Sequence, residues 1–240
     1  MEPRPTLSSV IGAVAFCPHP PVLLPGIGRA GADEIAGVRD ACRRAIRTVV
    51  TPPRSLVLIG SGTESRSYPA TARGGLGRYG VPVEVTLGPQ AAGPMQLPLS
   101  LTVGAWLIHD ALGDRARATG FAVGPDWDGS AAADVFAAAC RGDTEIALVV
   151  FGDGSGWRDA VTPDRLGERA ASFDAAVAAA LSIGDAPNLA VDADEAETLM
   201  VGGAMAWRAV ACELDDRRWS ARLDVDAAPF GVGYFVATWT

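Results

Sequence analysis

The chain has 240 residues, 49% of them hydrophobic, a net charge of −8, and arginine at all twenty of its basic positions. This size suits a single domain with a substantial core, expected over 1–240. The acidic balance argues against nucleic acid or an anionic membrane as partner. The lack of lysine excludes Schiff-base chemistry and the P-loop phosphate clamp.

In chain order, the apolar run 9–17 predicts a buried strand, and 32–49 an amphipathic helix. A strand over 55–61 is short and continuously apolar, which suits burial on both faces. Residues 60–80 and 88–98 are rich in glycine and proline and predict two long loops flanking a strand at 81–87. Helix 99–112, strand 119–123, helix 130–140 and strand 144–152 follow. Helices at 163–181 and 193–214 come next, and strands near 219–225 and 231–239 close the chain as an antiparallel pair near an edge. Alternating strands and helices predict an α/β fold, with a mainly parallel or mixed central sheet and helices on both faces.

Cys17, Cys42, Cys140 and Cys212 form no CxxC pair or zinc-binding spacing. They read as small apolar residues with free thiols in a reducing cytoplasm, the expected location. No signal peptide or membrane span is visible.

His19 lies in Cys17-Pro18-His19-Pro20-Pro21, just past the first strand. Proline-restricted backbone would pre-organise it as a metal ligand or an acid/base. The alternative is a histidine hydrogen-bonded beneath its loop. The other histidine, His109, sits on an amphipathic helix and reads as structural. Gly26-Ile27-Gly28-Arg29-Ala30-Gly31 spells GxGxxG, but prolines separate it from the strand that a dinucleotide site requires.

Asp153, in Gly152-Asp153-Gly154-Ser155, follows the strongest apolar run. With His19 and Ser61 it would stand at strand carboxyl ends, where sites are built in α/β proteins. A tight turn capped by Asp153 reads equally well. Arg66, Arg73 and Arg78 lie in the first long loop, either gripping a ligand carboxylate or simply solvated. The acidic run Asp192–Glu197 reads as a helix start complementing the dipole.

These pieces resemble the class III extradiol ring-cleavage dioxygenase superfamily, the LigB-like proteins with Memo as a relative, and more narrowly a bacterial branch of that superfamily. The resemblance rests on the His19 motif, Gly60-Ser61-Gly62, Gly152-Asp153-Gly154-Ser155, Phe173-Asp174, Val201-Gly202-Gly203 and Gly231-Val232-Gly233-Tyr234, which together span nearly the whole chain. It implies an α/β fold and an oxidoreductase chemistry using Fe(II), or another divalent metal, held by two histidines and a carboxylate. His19 matches the first ligand. The second-ligand turn reads Gly60-Ser61-Gly62-Thr63-Glu64, without histidine. The acid/base position is Gly156, and the glutamate position falls near Ala206-Trp207.

The expectation is therefore a LigB-like protein with a degenerate iron site that binds a small molecule, with no cofactor firmly implied. Ser61, Glu64, Arg66 and Asp153 are the candidate ligand contacts, and a homo-oligomer is compatible. One alternative keeps a divergent metal site of His19, Glu64 and Asp153 acting on an aromatic diol. The other is a metal-free hydrolase using Ser61 or Ser155 with His19 as base.

Overall fold

The computed structural model describes residues 10–27, 32–127, 145–160, 165–214 and 217–240. Nine strands and five α-helices are placed among them. The central sheet uses β1 (Ile11–Cys17), β2 (Ser55–Ser61), β3 (Arg66–Tyr68), β6 (Ala118–Val123), β7 (Ile146–Phe151), β8 (Ala221–Ala227) and β9 (Tyr234–Trp239). Their spatial order is β3-β6-β2-β7-β1-β9-β8. The inner four, β6-β2-β7-β1, run parallel, and β3, β9 and β8 add antiparallel pairings. β4 (Arg73–Gly75) and β5 (Glu84–Thr86) form a separate ribbon.

Helix α1 (Ala32–Val49) and α2 (Leu99–Leu112) cover one face. They pack on alternate strand residues, among them Ala15, Leu58, Val149 and Val236. Helix α3 (Leu166–Ile183) and α5 (Ala204–Leu214) cover the other, against Phe16, Ile59, Val150 and Trp239. A short α4 (Ala193–Thr198) precedes α5. Side chains alternate across a strand, so a continuously apolar run feeds two cores at once. β1, β7 and β9 are buried along their whole length for that reason. β8 alternates instead, with Arg222, Asp224 and Asp226 along it. Charged, half-exposed residues suit an edge strand, which they protect from pairing with other chains.

The α/β class, the mixed sheet and the antiparallel terminal pair agree with the sequence reading, and α1, α2 and β2 keep its boundaries. Three expectations change. The 60–80 loop contains edge strand β3 and half of the β4–β5 ribbon. The helix expected over 193–214 is two helices, broken at 199–203, where Val201-Gly202-Gly203 leaves the helical path. The strand expected over 81–87 shortens to β5. The helix expected over 130–140 lies outside the described residues, as do Gly28 and Gly31 of the GxGxxG run. No described helix is long and apolar enough to cross a membrane.

After β1 the chain crosses to α1 on one face, whereas after β7 it reaches α3 on the other. β1 and β7 are neighbours, so their following loops part in opposite directions. In open α/β sheets, ligand sites are built at strand carboxyl ends where the connections diverge in this way.

Candidate functional site

His19 stands two residues past β1. Pro20 is extended, and Pro21 opens a single 3-10 turn over Pro21–Leu23. Proline is well placed there, because its fixed φ suits the turn and its missing N–H would have no partner. The Leu23 and Leu24 amides donate to the Pro20 and Pro21 carbonyls at 3.0 Å, closing the turn. His19 is thereby held 8% exposed.

Asp153 stands two residues past β7. The Gly152 amide donates to Cys17 O at 2.9 Å, carrying the β1–β7 ladder one step beyond the strands. The loop is then pinned on both sides. Gly203 N donates to Asp153 O at 2.7 Å, and Gly156 N to Leu199 O at 2.9 Å. Gly154 N and Arg158 N donate to Gly233 O and Gly231 O. Gly152 and Gly203 must be glycines for this approach, since a Cβ on Gly152 would lie 2.5 Å from Gly203 Cα.

The His19 main-chain amide donates to Asp153 Oδ1 at 2.8 Å, and His19 Nδ1 lies 3.7 Å from the same oxygen. That second distance is too long for a hydrogen bond. Nδ1 is shut off from solvent without a hydrogen-bond partner. Burial pushes the Asp153 carboxyl above its ordinary range, and the charge and amide of His19 pull it partly back. Burial raises the Tyr234 phenol far above its usual value, and Asp153 adds to the rise.

The predicted site residues separate into two groups. His19 and Asp153 meet. Ser61, Glu64 and Arg66 instead line a neighbouring cavity of about 540 Å³ that Asp153 does not border. Glu64 is exposed and sits 3.4 Å from Arg66. It does not join His19 and Asp153, and among the described residues no three His, Cys, Asp or Glu side chains are grouped to hold a metal ion. An open non-haem iron centre needs two histidines and a carboxylate. The described residues offer His19 and Asp153 alone, so they do not fit Fe(II). Gly156 lies against Met200, and Trp207 is fully buried against Gly152 and Gly203.

The serine hydroxyls are occupied. Ser61 Oγ donates to Gly202 O at 2.8 Å, not to His19. Ser155 is completely buried, and its hydroxyl and amide both donate to Asp174 at 2.9 Å. Ser155 is therefore a structural bond rather than a free nucleophile. Asp174, fully buried on α3, was not legible as its partner. Burial raises its carboxyl, and the Ser155 bonds and the Arg158 charge oppose that rise. The available signal was its place on an apolar stripe, at i−4 from Ala178 and i+4 from Ala170. His109 Nε2 lies 2.7 Å from Thr86 O and ties α2 to β5. The Asp192 side chain accepts from Glu195 N and caps α4, as the acidic run suggested.

No protein-family model matches this chain. No curated protein matches it either. A crystal structure of uncharacterized protein JW3007 from Escherichia coli K12 is similar in fold at 12% identity and a TM-score of 0.48, covering 94% of this chain and 98% of that one.

Proposed function

We propose that this chain is a LigB-like α/β protein that binds a small molecule at the carboxyl edge of its sheet and does not cleave aromatic rings. The observation that carries the reading is the His19–Asp153 contact at the carboxyl ends of β1 and β7, where the following loops diverge. These two residues match the family's first-ligand histidine and its strand-end aspartate. The places of the remaining donors carry Gly156 and Trp207, and Glu64 turns to Arg66. Iron affinity comes from several preorganised ligands acting together, and one imidazole beside one carboxylate falls short of an open centre. What the pair retains is hydrogen-bonding capacity in a largely buried setting, with His19 Nδ1 unpartnered. The buried carboxyl and the shielded imidazole suit recognition of a polar group on a small ligand.

Protein purified from iron-supplemented cells tests the reading by metal analysis, with His19→Ala alongside. The expected result is substoichiometric iron that His19→Ala leaves unchanged, and no oxygen uptake with a panel of catechols in added Fe(II). Stoichiometric iron lost in His19→Ala, or catechol-dependent oxygen uptake, overturns it.

A further inference from the structure

The cavity at the carboxyl end of β2 has a wall chemistry at odds with the rest of an acidic chain. Two guanidiniums, Arg66 and Arg78, and one carboxylate, Glu64, border its volume of about 540 Å³. That size lies in the range of small-molecule sites.

Arg66 is positioned rather than loose. One terminal nitrogen lies 3.4 Å from Glu64 and the other donates to Gln96 Oε1 at 2.8 Å. Its guanidinium carbon lies 5.5 Å from the ring centre of Tyr68, a buried residue that anchors the platform. Arg78 differs. Among the described residues it has no carboxylate partner, and its guanidinium faces only the exposed ring of Tyr79, at 5.8 Å. Glu64 therefore offsets one cation and leaves the other over.

The start of α2 adds to this. Pro98 and Leu99 border the cavity, and Pro98 supplies no side-chain cap. The partial positive charge of a fourteen-residue helix consequently opens toward the same space. Leu97, Pro98 and Leu99 form an apolar wall.

We infer that this cavity binds a small monoanionic carboxylate with an apolar body, Arg78 and Arg66 taking the carboxylate and the Leu97–Leu99 wall taking the body. Guanidinium forks match the planar, two-oxygen geometry of a carboxylate. Glu64 in the wall disfavours a ligand with a second negative charge, such as phosphate. The inference rests on the preceding reading only in placing a small molecule at the carboxyl edge. Ser61 borders the cavity and bonds Gly202, where a Cβ would lie 3.5 Å from His19 Cε1, so the two places adjoin without sharing His19.

Calorimetric titration of the full chain with benzoate tests it, with benzamide as the neutral isostere and inorganic phosphate as the competing anion. Benzoate is expected to bind at least about tenfold more tightly than benzamide or phosphate, and Arg78→Gln to weaken benzoate by about tenfold, as loss of one charge-assisted contact implies. Arg78 is exposed, so this variant keeps the fold; unchanged circular dichroism verifies that. His19→Ala is expected to bind benzoate as the parent does. Absence of benzoate binding, equal binding of benzamide, preference for phosphate, or an unaffected Arg78→Gln each overturns the inference. Benzoate binding lost in His19→Ala but kept in Arg78→Gln moves the ligand to the His19–Asp153 pair, which sinks this inference and spares the reading before it. Stoichiometric iron on His19 with Arg78-dependent benzoate binding does the reverse.

Discussion

The main-chain amide of His19 donates to Asp153 Oδ1 at 2.8 Å, joining two loops 134 residues apart in the chain. The bond fixes where the histidine sits, because its own side chain has no partner for Nδ1. Asp153 is thus a positioning residue for His19.

Its burial gives a pH signature. Burial is the largest effect on Asp153 and raises its carboxyl in the folded state. A raised folded value favours the protonated acid, so its stabilising contribution is fully present below the unfolded value near 4. It is lost as pH rises through the folded value. Over a window that opens at the unfolded value and extends upward in pH, the stability of the parent chain relative to Asp153→Asn should therefore fall. Urea denaturation across that window measures it, and a constant difference would contradict the burial argument. Asp153→Ala also removes the acceptor for His19 N–H and should cost about 1–3 kcal/mol.

Asp174 holds both the amide and the hydroxyl of Ser155 with its side chain fully buried. Asp174→Ala leaves a buried amide unpaired and should cost about 3 kcal/mol, at the upper end for such a loss. Ser155→Ala keeps the amide bond and should cost about 1 kcal/mol. Denaturation midpoints decide the ranking. Equal costs would mean that the hydroxyl, not the carboxylate, organises this loop.

Two glycines should respond in opposite directions to alanine. A Cβ on Gly152 meets the backbone of Gly203, which cannot rotate away, so Gly152→Ala should destabilise by about 1–3 kcal/mol. Gly37 is exposed within α1 with nothing within 4 Å of its Cβ position. Gly37→Ala should stabilise by about 0.5–1 kcal/mol through the unfolded chain's lost freedom. Thermal unfolding of the two variants checks the pair of signs.

Cys17 and Cys42 are free and almost completely buried. Burial pushes the Cys42 thiol well up, and the adjacent Cys17 raises it further. Neither should react with a thiol reagent at about pH 8 until the protein is unfolded: Cys17 is out of reach of solvent, and Cys42 in addition is held from its reactive thiolate form. Peptide mapping after timed labelling reads this site by site. Labelling of either residue in the native state would show that the β1–α1 core opens readily.

Several elements were legible because their cause is local. The runs at 55–61 and 146–151 are apolar at nearly every position, and burial on both faces demands nothing more than that. Helix α1 carries its own periodicity, α2 is a largely buried apolar helix bounded by Pro98 and Gly113, and both keep their predicted ends. The helix expected over 193–214 broke because Gly202 and Gly203 must approach Asp153 and Gly152, a demand made from a distant part of the chain. β3 escaped notice for a similar reason. Arg66-Ser67-Tyr68 is too short to show a period, and it becomes a strand only by pairing with β6.

The sequence by itself determined the α/β class, the buried central strands and the placing of His19 and Asp153 at strand ends, since apolar runs, prolines and glycines act on their own neighbourhood. Only the tertiary structure decided which of those ends meet. Inserting β7 between β1 and β2 brings Asp153 to His19. It leaves Glu64 paired with Arg66 on the wall of a separate cavity, and it buries Ser155 against Asp174. Strand order is set by how the two cores pack as a whole, and no single stretch of chain carries that information.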